Sequence, residues 1–164
     1  MSGWVVETMI DYGQEERFPQ RTNPRMGWYD YSTPGYYFVT ICTKEKSRIF
    51  GEPGILNDAG YVAQQAILEI PEHFPGVQVD KFVVMPNHVH LILILEDGTT
   101  KLPDVIGQYK SAVTRQLRKM GWNQPVWQTS FHDHVIRDQM GYERIWTYID
   151  TNPIRWKDDC FYIE

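Results

Sequence analysis

The chain has only 2 cysteines in 164 residues, Cys42 and Cys160, far apart and in no Cys-x-x-Cys arrangement. That spacing excludes a zinc finger and reads as two free thiols in a reducing cytoplasm. Long apolar runs are missing too. The longest, His90 apart, is about eight residues, against the roughly twenty that a membrane helix needs. Met1 to Tyr12 has no positively charged start and carries Glu7 and Asp11 among its hydrophobics, which argues against a secretory signal. There is no internal repeat and no low-complexity segment. Excess positive charge is also absent. The formal net charge of -5 argues against a protein that coats nucleic acid non-specifically.

What is present suits one soluble globular domain. Apolar residues make up 42% and charged residues 23%, enough of each for a core and a solvated surface. Aromatics are frequent, with 6 Trp, 10 Tyr and 7 Phe; they build cores and also stack on bases, so the count alone decides nothing. Charge is unevenly spread. Between Lys101 and Lys119 five basic residues (Lys101, Lys110, Arg115, Arg118, Lys119) face one acid, Asp104, a local balance of +4. Such a stretch serves either as a solvated helix face or as a nucleic-acid contact.

Residues 1–34 read as an irregular arm, punctuated by Pro19, Pro24 and Pro34 and carrying Arg17, Arg21 and Arg25. Tyr36 to Thr43 is β-branched and aromatic, and predicts a strand. Gly51 to Gly54 marks a loop. A helix capped by Asn57 or Asp58 then runs to about Ile70, where Pro71 is expected to end it. Val77 to Met85 and His88 to Leu95 predict two strands around Pro86-Asn87, the second central because it is apolar on both faces. Pro103 to Met120 predicts a helix stopped by Gly121. A short strand over His132 to Arg137 follows. Asp138 then caps a last helix reaching about Thr151 before Pro153. The order β-α-β-β-α-β plus one helix predicts an α+β, ferredoxin-like antiparallel sheet. Its two crossover helices would lie on one face, and the extra C-terminal helix could cover the other.

The chemistry is concentrated in His88-Val89-His90. Side chains alternate along a strand, so both imidazoles point the same way and can chelate one ion. On the last helix, Ile145, Tyr148, Ile149 and Asn152 share one inward stripe, with Tyr148 and Asn152 one turn apart. A buried amide there needs a partner. Either Asn152 is a third metal ligand beside a phenolic nucleophile, or it caps the helix and Tyr148 is core. Tyr12 with Glu16 and Tyr61 with Gln65 repeat the spacing, but the first lies in the arm and the second lies off its helix's apolar stripe. His132 and His134 form a second His-x-His, structural or part of a four-histidine site.

In order along the chain, GYYFVTICT (35–43), VVMPNHVHLIL (83–93), YKSAVTRQLRK (109–119), PVWQ (125–128), HVIR (134–137) and YIDTNPIRW (148–156) resemble the single-tyrosine HUH transposases, a family of insertion-sequence transposases. They are most similar to the REP-associated tyrosine transposase branch, over about residues 28–157. The resemblance implies a transposase domain over 35–157, leaving a short tail at 158–164. It also implies a ferredoxin-like nuclease fold, a divalent metal, and cleavage of single-stranded DNA at hairpin-forming elements through a covalent 5′-phosphotyrosine. By position, His88 and His90 match the metal-binding pair, Tyr148 the nucleophile and Asn152 the third ligand. Relatives often carry Gln at that last position. Lys110, with Arg115, Arg118 and Lys119, matches the DNA-contacting helix. Relatives act as homodimers or as monomers.

Two imidazoles and an amide oxygen suit Mg²⁺ or Mn²⁺ working with substrate phosphates, Mn²⁺ being the better match to imidazole. Two alternatives stand beside this reading. One is a catalytically inactive or domesticated module that binds DNA hairpins. The other is an RNA-binding sheet, although the histidines occupy the place where such sheets expose aromatics.

Overall fold

The computed structural model describes residues 29–164. The arginines and prolines expected in the first part of the arm, and the Tyr12–Glu16 pair, lie outside the described residues. In chain order the elements are β1 (Gly35–Cys42), β2 (Gly51–Glu52), β3 (Ile55–Leu56), α1 (Asp58–Leu68) and α2 (Ile70–His73), then β4 (Val77–Met85), β5 (His88–Leu95), α3 (Leu102–Lys119), β6 (His132–Ile136) and α4 (Gln139–Thr151). Four strands form an antiparallel sheet in the order β4-β5-β1-β6, and β2 and β3 form a separate small hairpin. This is the expected ferredoxin-like plan, with β5 inside the sheet.

Strand parity sorts the side chains into two layers. On one face Tyr37, Val39 and Ile41 of β1 and Val89, Leu91, Leu93 and Leu95 of β5 join one core. The crossover helices supply its other half, α1 through Ala63 and Ile67, α3 through Leu102, Val105, Ile106, Tyr109, Val113 and Leu117. Those α3 positions recur every three or four residues, the spacing of a single helical face. On the opposite face Phe38 and Ile92 pack under Ile145 and Ile149 of α4. The even-numbered residues of β5, His88 and His90 among them, therefore face α4.

The helix signals act as the chain implies, with one exception. Asn57 caps α1 by accepting from the Gly60 N–H at 2.9 Å, and Asp138 caps α4 through the Gly141 N–H at 2.7 Å. Gly121, at φ 95°, follows the end of α3. Pro71, expected to end a helix, instead sits in the first turn of α2. A first-turn N–H has no partner within its helix, so proline costs nothing there. Of the expected Gly51–Gly54 loop, Gly51–Glu52 forms β2 and only 53–54 make the turn to β3.

Candidate active site

The sheet register sets the histidines beside known neighbours. His90 lies opposite Thr40 of β1 and Val83 of β4, and His88 lies opposite Cys42 and Met85. The rings are 4.5 Å apart between centroids, and both residues are buried, at 0% and 1% exposure. Their Nδ1 atoms are occupied: His88 Nδ1 lies 2.7 Å from Asn87 Oδ1, and His90 Nδ1 lies 2.8 Å from Thr40 Oγ1. Their Nε2 atoms have no hydrogen-bond partner.

Asp159 completes the cluster. One ligand atom from each of His88, His90 and Asp159 lies within 4.8 Å of the others. Asp159 Oδ2 is 3.5 Å from His88 Nε2 and, like the two Nε2 atoms, makes no hydrogen bond. Asn152 is also buried, and its Oδ1 is likewise without a hydrogen bond. Burying such atoms unpaired is costly, and a hard or borderline divalent cation would satisfy the two imidazole nitrogens and the carboxylate together. The residues present therefore fit a metal.

Electrostatics hold the donors in the form a metal takes. Burial, reinforced by the neighbouring His88, pushes His90 well below the usual imidazole range, so it stays neutral. Burial pushes the Asp159 carboxyl up. The contact with His88, the nearby His90 and the Phe161 N–H, which donates to Oδ1 at 2.9 Å, outweigh burial and keep it below the usual carboxylate range.

Asp159 is the site residue that the sequence reading missed. It lies beyond Pro153, where no helical or strand period projects it onto the sheet. A signal was present: the Asp158-Asp159 pair runs into the aromatic stretch Phe161-Tyr162. Those aromatics seat the segment. Phe161 packs on His88 and His90 at 4.6 and 5.8 Å between centroids, and Trp156 stacks on His88 at 6.0 Å.

The stripe on α4 faces the sheet as its spacing implies. Ile145 and Ile149 are fully buried, Asn152 is 2% exposed, and Tyr148 is half-buried. The Tyr148 ring meets His90 at 5.2 Å and Phe38 at 6.1 Å between centroids. Polar contacts hold α4 against β4. Lys81 Nζ bonds Asp150 at 2.7 Å and lies 3.9 Å from the centre of the Trp146 ring. The Tyr142 hydroxyl donates to Asp80 at 2.6 Å, a bond that pushes the phenol up to about 12.

The structure divides the basic helix. Arg115, Arg118 and Lys119 are exposed, whereas Lys110 donates from Nζ to the Gln128 carbonyl at 2.6 Å and is half-buried. The second histidine pair does not make a four-histidine site. His132 and His134 point to the α4 side, opposite Thr40 and Phe38. Among the described residues, however, the His, Cys, Asp and Glu side chains that could share a metal are His88, His90 and Asp159. Tyr61 and Gln65 face solvent.

Comparison with known proteins follows the same lines. Residues 32–152 match the family described as "Transposase IS200 like". A Haemophilus influenzae protein is 36% identical over 169 residues, covering 88% of this chain and 94% of its own length. The REP-associated tyrosine transposase of Escherichia coli is 23% identical over 125 residues, covering 76% of this chain and 70% of its own. The solved structure of a REP-associated tyrosine transposase bound to a REP hairpin shares the fold, with a TM-score of 0.64 at 22% identity. That match covers 83% of this chain and 74% of the other.

Proposed function

The chain belongs to the IS200-like transposase family, and from that membership we propose that it cleaves and rejoins single-stranded DNA at hairpin-forming elements. Tyr148 would be the nucleophile. His88, His90 and Asp159 would hold a divalent metal, with Asn152 offering an amide oxygen from the stripe that carries Tyr148. The observation that carries the reading is the contact, within one chain, of the Tyr148 ring with His90, one of two neighbouring imidazoles whose Nε2 atoms have no hydrogen-bond partner.

A tyrosine hydroxyl has a pKa near 10 and needs help to attack a phosphodiester. When bound, Mg²⁺ or Mn²⁺ would polarise the phosphate oxygens and neutralise charge developing on them. The chain's own residues supply placement. Ile145 and Ile149 seat α4 on the sheet, and the Lys81–Asp150 and Tyr142–Asp80 bonds set its azimuth. In the reaction the Tyr148 oxygen forms a bond to phosphorus and the bond to the 3′ oxygen breaks. The phenolic proton ends on that leaving hydroxyl. Attack by another 3′ hydroxyl would break the bond between the Tyr148 oxygen and phosphorus and rejoin the strand, the hydroxyl proton returning to the phenol.

One observation favours a second reading. Both imidazoles are buried, with Phe161 packed on both rings and Trp156 on His88, so a phosphate reaches them only when these aromatic side chains turn aside while Asp159 stays. A chain in which they never move would bind hairpins without cutting. Incubation with hairpin-bearing single-stranded oligonucleotides and Mn²⁺ decides between the two. The first reading predicts a covalent protein–DNA species on a denaturing gel, absent from Tyr148→Phe although hairpin binding persists. The second predicts binding with no such species in either protein.

A further inference from the structure

Asn87 follows Pro86 in the tight turn between β4 and β5, a place where asparagine is common. Asparagine at such a turn is ordinarily explained by a left-handed backbone or by a bond to its own main chain. Asn87 has neither: its φ is not positive, and its side chain reaches three other residues instead. It is 1% exposed. Nδ2 lies 2.8 Å from the Phe161 carbonyl and 3.3 Å from the Lys46 carbonyl, while Oδ1 lies 2.7 Å from His88 Nδ1.

These partners leave no freedom in the placement of hydrogens. Carbonyl oxygens only accept, so the amide must turn its NH₂ toward Phe161 and Lys46. Its oxygen must then face His88, and an amide oxygen also only accepts. His88 Nδ1 is therefore the donor. In the neutral ring the proton on Nδ1 leaves Nε2 bare, and Nε2 is the atom beside Asp159. Thr40 imposes no such choice on His90, because a hydroxyl can donate or accept.

We propose that Asn87 is a positioning residue that locks His88 in the Nδ1–H tautomer and so commits its Nε2 to the metal. Through Phe161 the same side chain ties the segment bearing Asp159 to the histidine it joins. The proposal rests on the metal reading above for its purpose, but not for its structural content.

The test reads the tautomer directly, in metal-free protein, by long-range ¹H–¹⁵N correlation of the histidine rings at neutral pH. Wild type is expected to show His88 protonated on Nδ1. Asn87→Asp keeps an acceptor for His88 Nδ1 but loses the donors to the Lys46 and Phe161 carbonyls, so Nδ1 should stay protonated while the hold on Phe161 is lost. Asn87→Leu should lose it and bind Mn²⁺ about 10- to 100-fold more weakly by calorimetry, the range found for outer-shell partners of metal ligands. An unchanged backbone amide spectrum for α1 and α3, away from the site, shows that the fold persists in each variant. A wild-type His88 protonated on Nε2 overturns the proposal without any variant. So does an Asn87→Leu protein with unaltered tautomer and affinity. An Nδ1–H signal in a wild type that binds no Mn²⁺ upholds Asn87's hold on His88 and overturns the metal reading instead.

Discussion

The Tyr148 ring lies edge-on to the His90 ring at 5.2 Å, and both belong to one chain. The phenol and the imidazoles therefore need no second copy to meet. A dilution series should accordingly show covalent adduct formation that is first order in protein, with no loss of specific rate at low concentration.

The tether between α4 and β4 should matter more for reaction than for folding. An exposed ion pair contributes up to about 1 kcal/mol, and a cation over an indole a similar amount. Lys81→Ala combined with Tyr142→Phe should therefore cost about 1–2 kcal/mol in denaturant unfolding. The rate of adduct formation should fall at least tenfold while hairpin affinity stays within twofold, about the limits expected for lost positioning.

Asp159 and Asn152 should make separable contributions if both hold the metal. Asp159→Ala should weaken Mn²⁺ binding by at least about tenfold, with Asn152→Ala weaker in effect because an amide carries no charge. Isothermal titration on folded variants checks the ranking. Equal affinity in Asp159→Ala and wild type would remove Asp159 from the site.

The basic helix should split in the same way that its side chains do. Arg115→Ala, Arg118→Ala and Lys119→Ala should leave stability unchanged. Each should lower hairpin affinity and reduce the salt slope by about 0.7–0.9 where a phosphate contact is lost. Lys110→Ala should instead destabilise the protein, since its Nζ holds the 128–129 backbone. Paired salt titrations and melting curves separate the two groups.

His134 gives the protein a pH dependence of known sign. Burial, with Arg137 and Arg144 nearby, pushes it down to about 4. Below about pH 6.5 the unfolded chain takes up a proton that the folded one refuses. Its contribution to stability is thus complete above pH 6.5 and is lost as pH falls toward 4, by at most about 1.4 kcal/mol per pH unit. His134→Gln should flatten that part of the curve in pH-dependent denaturant melts.

Much of this molecule could be read before it was seen. Val77–Met85 and His88–Leu95 fall at the expected limits because strand composition and the Pro86-Asn87 turn bound them sharply. The α4 stripe could be projected because helical spacing is rigid over two turns. Asp159 could not, since its place depends on Phe161 and Trp156 finding the histidine rings, a tertiary event with no period in the chain. The bond that Lys110 makes was hidden for the same reason: sequence shows its charge but not the Gln128 carbonyl that accepts from it. Pro71 misled because one residue can end a helix or begin one.

The central claim is that Tyr148 becomes covalently joined to DNA. The direct measurement is peptide mass spectrometry of wild-type protein after reaction with a hairpin oligonucleotide and Mn²⁺, followed by nuclease trimming of the attached strand. The prediction is a nucleotide-5′-phosphate adduct on the peptide spanning 145–155, localised by fragmentation to Tyr148. An adduct on any other tyrosine, or robust strand cleavage with Tyr148 unmodified, would contradict it.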